Sequence, residues 1–221
     1  MPAEQPSSES IATAAEAIRR RIDAAGGDRD AVRLIAVTKK HGAATAAAAF
    51  HAGLTDLGEN YASELVEKAT ELRDLAIRWH FLGSIQTNKI NRLAPVTSCF
   101  QGVSRLKEVE AIAERAPGAC IMVQADFTEL EGRGGAPQAE VPSLVRAARS
   151  LELSVCGLMT VAPVGEALAR PAFRRLREMA DDLGLKERSM GMTDDLEVAV
   201  QEGSTMVRVG RALFGERQQR T

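Results

Sequence analysis

Three stretches of this 221-residue chain set reactive side chains where an apolar run ends. In LIAVTKKHG the segment Leu34–Thr38 reads as a strand, and alternation along it puts Ile35, Val37 and Lys39 on one side. A lysine at the end of such a strand loses part of its hydration, which lowers its amine pKa and prepares it to form a Schiff base. The plain alternative is an exposed strand-end charge; Lys40 points the other way, into solvent. In TMVRVGRALFG the same alternation groups Met206, Arg208 and Gly210, and Arg208 interrupts an otherwise apolar run. A buried guanidinium must be paired, so Arg208 meets either an internal carboxylate or an acceptor on a ligand. Gly210, directly after, lets a ligand approach the backbone. In SMGMTDDLEVAV, Thr193 and Asp194 fit a helix cap, and Asp194 with Glu197 has capping-box spacing. The free N–H groups of that helix start suit an anion, although two aspartates fit capping better than phosphate.

Further polar groups have quieter readings. GENYAS places Glu59, Asn60 and the only tyrosine, Tyr61, after a short strand; Asn60 serves either a binding mouth or a helix cap. In WHFLGSIQTNK, His80 reads as a satisfied interior histidine, whereas His41 and His51 read as surface residues. Cys99, Cys120 and Cys156 are odd in number, widely spaced and without a C-x-x-C pair, so they read as reduced, half-buried apolar side chains, with zinc excluded. The segment Asp126–Pro137 holds three glycines and reads as a loose loop or lid; Gly132–Gly135 resembles a phosphate cradle but lacks the Lys-Ser/Thr of a P-loop.

These groups need a scaffold. Ile11, Ala14, Ala15, Ile18 and Ile22 recur at helical spacing from Ser10 to Ala25, after a loose tail over 1–10. Eight short aliphatic runs then alternate with helical segments: Val32–Thr38, Thr55–Gly58, Ile77–Leu82, Val96–Val103, Ala119–Ala125, Leu153–Met159, Glu187–Met190 and Thr205–Gly210. Such alternation gives an α/β protein with a parallel sheet, either open and doubly wound or closed into a (β/α)8 TIM-type barrel. No strand is followed by G-x-G-x-x-G, which removes the main support for a dinucleotide fold. A barrel takes about 200–250 residues, so one barrel over 11–217 with an extra N-terminal helix consumes the chain. Barrels often bind phosphate in the loops after their seventh and eighth strands, here Met192–Thr193 and Gly210–Arg211, which favours the anion reading.

Composition narrows the classes. Lys and Arg number 28 against 30 Asp and Glu, a net charge of −2, which argues against general nucleic-acid binding while leaving room for one small basic pocket. Aromatic residues are 4%, which makes the core aliphatic. The N-terminus lacks the pattern of a secretory signal and no apolar run approaches the roughly 18 residues of a membrane helix. A cytoplasmic protein with no membrane contact is expected.

Taken together, AVTKKH, LGENYASEL, WHFLGSIQTNK, GLMTVAP and SMGMTDDLEVAVQEGSTMVRVGRALFG, in this order, resemble the pyridoxal 5′-phosphate (PLP) homeostasis protein family from about Ile11 to Arg217. The resemblance implies a barrel like the N-terminal domain of alanine racemase, with PLP held as an internal aldimine on Lys39. It implies that Arg208 faces the pyridine nitrogen, that Met192, Thr193, Gly210 and Arg211 surround the phosphate, and that Asn60 and Met159 lie beside the cofactor. Relatives usually carry serine at Thr193, many carry threonine at Arg211, and many carry asparagine at Asp126, to which no role is carried over. The family implies a carrier or regulator of PLP without established catalysis, with PLP-dependent apo-enzymes as its partners, and the use of nearly the whole chain for one barrel fits a monomer. The alternative is a racemase-like enzyme. It would need a second acid/base beside Lys39, which such enzymes take from an additional domain.

Overall fold

Eight strands pair in chain order, and the last returns to the first. The computed structural model describes residues 5–128 and 134–215. The strands are β1 (Arg33–Val37), β2 (Asp56–Glu59), β3 (Arg78–Phe81), β4 (Cys99–Val103), β5 (Cys120–Asp126), β6 (Ser154–Met159), β7 (Glu187–Ser189) and β8 (Met206–Val209). Every neighbouring pair is parallel, β4 joins β5, and β8 pairs with β1 through Arg33↔Met206 to Ala36↔Val209. The sheet is therefore a closed barrel, as the alternation required, and the open doubly wound sheet is set aside. Closure explains the aliphatic share of the strands, because parallel strands are covered on both faces, and the polar side chains they do carry, such as His80, Gln101 and Arg208, are buried and hydrogen-bonded.

The helices form the outer ring: α1 (Ser8–Ala24), α2 (Ala43–His51), α3 (Ala62–Glu71), α4 (Ile90–Leu93), α5 (Leu106–Arg115), α6 (Val141–Ser150), α7 (Glu166–Asp182), α8 (Leu196–Gln201) and α9 (Arg211–Phe214). The expected N-terminal helix is present and begins before the tail was expected to end. Ser7 accepts from the Ser10 amide at 3.2 Å and Glu9 lies in the first turn, so the polar SSES stretch is a helix start. Its buried face is Ile11, Ala15, Ile18 and Ile22, and it packs on α2, α8 and α9. Gly26, at φ 86°, ends it.

Between strands and helices lies one large aliphatic core. Inside the barrel, Ile35, Cys99, Met122, Met159 and Met206 form a second, sulfur-rich cluster. The 126–137 segment, expected to be irregular, contains a short strand, Ala136–Pro137, which pairs with Ala125 and Asp126 at the end of β5. Residues 129–133, which include the Gly132–Arg133 part of the glycine-rich stretch, lie outside the described residues, as do 216 and 217 at the expected barrel end.

Candidate functional site

At the end of β1 the chain turns immediately. Lys39 follows Ile35 and Val37 on the inward side, while Lys40 adopts a left-handed φ of 65° and is exposed. The turn is anchored by a buried cluster. Thr38 Oγ1 donates to Glu59 Oε1 at 2.6 Å, and Lys68 Nζ donates to the same oxygen at 2.6 Å and to the Thr38 carbonyl at 2.8 Å. Burial pushes the Glu59 carboxyl up to about 6, against the opposing pull of Lys68 and Thr38. The ion pair ties the Lys39 turn to β2 and α3. Sequence reasoning noted Glu59 only as a neighbour of Asn60 and gave Lys68 no role; a carboxylate ending a buried strand, with a lysine nine residues on in the next helix, was the available signal.

Arg208 is buried in β8, 5% exposed. Its Nη1 donates to Ser189 Oγ at 2.8 Å and its Nη2 to the Thr160 carbonyl at 2.7 Å. No ion pair among the described residues includes it, so the internal-carboxylate expectation is set aside. Burial lowers its pKa to about 10, with Asp195 partly offsetting this, and it stays charged at neutral pH. Ser189 Oγ then donates to Gln101 Oε1 at 2.7 Å, the Gln101 amide meets His80 Nδ1 at 2.9 Å, and His80 Nε2 meets Asp56 Oδ1 at 2.9 Å. With the Gln101 oxygen toward Ser189 and its amide nitrogen, a donor only, toward His80 Nδ1, the His80 proton sits on Nε2 and is donated to Asp56. His80 is thus the satisfied interior histidine expected. Burial alone would raise Asp56, but hydrogen bonds from His80 and Arg78 hold it well below the usual carboxylate range.

The loops after β7 and β8 meet at the mouth. Gly191 lies at φ 93°, where a Cβ would fall 2.5 Å from Ala199 Cβ, so only glycine makes this turn. A Cβ on Gly210 would come within 3.0 Å of the Val37 carbonyl, so the close approach seen there is to β1. The expected capping box is absent: α8 is preceded by Asp195, whose Oδ1 accepts from the Met192 amide at 2.6 Å. Asp194 instead pairs with Arg211, joining the two loops, and Glu197 accepts from Arg21 of α1 at 2.6 and 2.9 Å. Arg21 Nη2 also donates to the Thr193 carbonyl at 2.8 Å, so α1 braces the loop, a role that sequence reasoning missed.

These elements enclose a cavity of about 530 Å³ at the carboxyl ends of the strands, within the usual size of a small-molecule site. Lys39, Asn60, Met159, Met192, Thr193, Arg208, Gly210 and Arg211 all line it. Val37, Leu82 and Val161 supply apolar wall. His41, expected at the surface, also lines it, its ring 5.3 Å from Phe214. Tyr61 does not; it lines a neighbouring cleft with Ser63 and Lys89.

The alanine racemase N-terminal domain family matches residues 12–218. The chain is 41% identical over 218 residues to a pyridoxal phosphate homeostasis protein of Pseudomonas aeruginosa, covering 95% of each. It therefore belongs to this family. A second member with the same name, from Aquifex aeolicus, is 32% identical and covers 95% of this chain and 97% of that one. Among solved structures, PipY of Synechococcus elongatus with PLP bound is 31% identical, with a TM-score of 0.79 over 90% of this chain and 100% of that one.

The cavity's chemistry fits the family's cofactor. An amine, a buried guanidinium and a second, exposed arginine face an apolar-walled space, the set that an aldehyde, an aromatic ring nitrogen and a phosphate dianion require. Among the described lining residues Asp194 is the one acid that opposes an anion, and Arg211 neutralises it.

Proposed function

We propose that the chain holds PLP in this cavity, attached to the Lys39 amine as a Schiff base, and serves intracellular PLP homeostasis as a carrier or regulator. The observation that carries this reading is the convergence of eight residues from five separate chain segments on one cavity at the carboxyl ends of the strands. Bound PLP brings an aldehyde and an electron-withdrawing ring. The chain's own groups divide the remaining work. Arg208 presents N–H groups toward the ring while Ser189 and Thr160 fix its orientation. Met192, Thr193, Gly210 and Arg211 form the phosphate end, and Asn60 and Met159 flank the ring.

Holding the cofactor suits these residues better than driving carbanion chemistry. A guanidinium at the ring nitrogen donates but does not readily release a proton, so it disfavours a pyridinium and weakens the electron sink. A racemase needs an acid/base on each face of its substrate. Tyr61 lies in the neighbouring cleft, and His41 belongs to the same turn as Lys39. We place the protein in the cytoplasm, monomeric, and handing PLP to apo-enzymes that depend on it.

The purified protein should absorb in the yellow Schiff-base band, and borohydride should fix the cofactor to the peptide containing Lys39. Lys39→Ala should lose the band and retain weaker PLP binding. A full band in that variant moves the attachment to another lysine and overturns the assignment. Measurable alanine racemisation by the purified protein overturns the non-catalytic reading alone.

A further inference from the structure

The strongest feature outside the cavity lies at the opposite end of the barrel. Cys99 and Cys120 begin β4 and β5, and Cys156 sits early in β6, so three neighbouring strands deliver three thiols near their amino ends. Cys120 Sγ lies 2.6 Å from Cys156 Sγ and 3.2 Å from Cys99 Sγ, and the third side of the triangle is 3.7 Å. The three are free, buried or half-buried, and packed among apolar side chains as expected, but they are not scattered in space. Filling space requires volume, whereas these sulfurs converge on one point. Cys99 is buried and the other two are half-buried, which leaves the triangle a path to solvent.

We propose that Cys99, Cys120 and Cys156 form a binding site for a soft, thiophilic metal ion, with cuprous copper as the ion that fits. The donor set argues for that class. Three thiolates with no oxygen or nitrogen completing the set suit a soft monovalent ion, whereas structural zinc takes four ligands in a tetrahedron. The nearest imidazole cannot supply a fourth, because both His80 nitrogens are engaged, by Gln101 and Asp56. The apolar cluster around the thiols includes Ile35, Met122, Met159 and Met206, a polarisable wall, and Cys156 Sγ also donates to the Ile121 carbonyl at 3.2 Å. A trigonal ion with metal–sulfur bonds of about 2.3 Å wants its sulfurs about 4 Å apart, wider than all three present separations and most of all than the 2.6 Å between Cys120 and Cys156. Seating it spreads the sulfurs and relieves the tight Cys120–Cys156 approach.

On binding, three sulfur–metal bonds form, the three thiol protons pass to solvent, and copper stays cuprous, so nothing is oxidised or reduced.

The test is an anaerobic titration of the purified full-length protein with acetonitrile-stabilised Cu(I), competed against bathocuproine disulfonate. One ion per chain should bind, with a sulfur-to-copper charge-transfer band and loss of three reactive thiols. X-ray absorption should show three sulfurs at about 2.3 Å. Cys120→Ser and Cys156→Ser should each weaken binding by at least about a hundredfold, with circular dichroism and melting unchanged. Should either variant fail to fold, the stoichiometry and ligand shell of the unaltered protein decide the matter. Nitrogen or oxygen in the shell, no stoichiometric binding, unchanged affinity in a folded variant, or a Cys120–Cys156 disulfide formed with copper left in solution would each overturn the proposal.

Discussion

Arg211 and Asp194 stand across the cavity mouth, one on each of the two loops assigned to phosphate. Both are well exposed, at 56% and 79% of their side-chain area. An exposed ion pair is worth only about 0.2–1 kcal/mol, so the pair is easily exchanged for a pair with an incoming anion. A phosphate must compete with Asp194 for this guanidinium, which makes Asp194 a restraint on affinity. Asp194→Asn should therefore tighten PLP binding, by up to about fivefold, the equivalent of 1 kcal/mol. Arg211→Ala should weaken it. Both effects should fade in high salt, because exposed charges are screened; a fluorescence titration at two ionic strengths reads them. Equal affinities in all three proteins at low salt would show that the phosphate sits elsewhere.

At the scale of elements, α1 acts on the cavity without lining it. Its buried face stabilises the barrel wall and its Arg21 braces the loop that carries Thr193. The two duties should separate on mutation. Ile18→Ala should lose about 2–5 kcal/mol and lower the melting temperature by several degrees, with PLP affinity kept. Arg21→Ala should move the melting temperature far less, yet weaken PLP binding and speed amide exchange at Met192–Asp195. Equal effects of the two changes on affinity would remove the bracing role. Most strands were legible because buried parallel strands are mainly aliphatic, whereas the short β2, Asp56–Glu59, and β7, Glu187–Ser189, are largely polar and carry little of that mark. The helix start at Ser8 was hidden by its polarity, since capping residues and loose tails share a composition. What escaped the sequence altogether are the contacts between elements: Arg21 reaches Glu197 across 176 positions, and the three thiols meet only because β4, β5 and β6 are neighbours in the closed sheet. Spacing along a chain reports metal sites built within one loop or helix, and this one is built across strands.

For the molecule as a whole, two buried carboxylates pull stability in opposite directions with pH. Glu59 is fully buried, and burial raises its folded pKa from 4.5 to about 6. The folded state thus holds this proton more tightly than the unfolded chain, so its contribution is present below 4.5 and is lost as pH rises through 6. A gap of that size corresponds to roughly 2 kcal/mol. Asp56 behaves in the reverse sense: hydrogen bonds from His80 and Arg78 hold it down, so its contribution is present above 3.8 and lost only in stronger acid. Glu197 and Glu202, lowered by Arg21 and Arg174, fail on the same side as Asp56. Unfolding free energy should accordingly hold or rise as pH falls from 7 to 5, then drop below about 4, as urea denaturation across that range would show. Glu59→Gln should abolish the gain between pH 7 and 5, because it removes the titrating carboxyl while Lys68 keeps its ion pair with Glu64 at 3.4 Å, and the acid limb set by Asp56 should remain. A folded variant that keeps the gain would assign it to some other group.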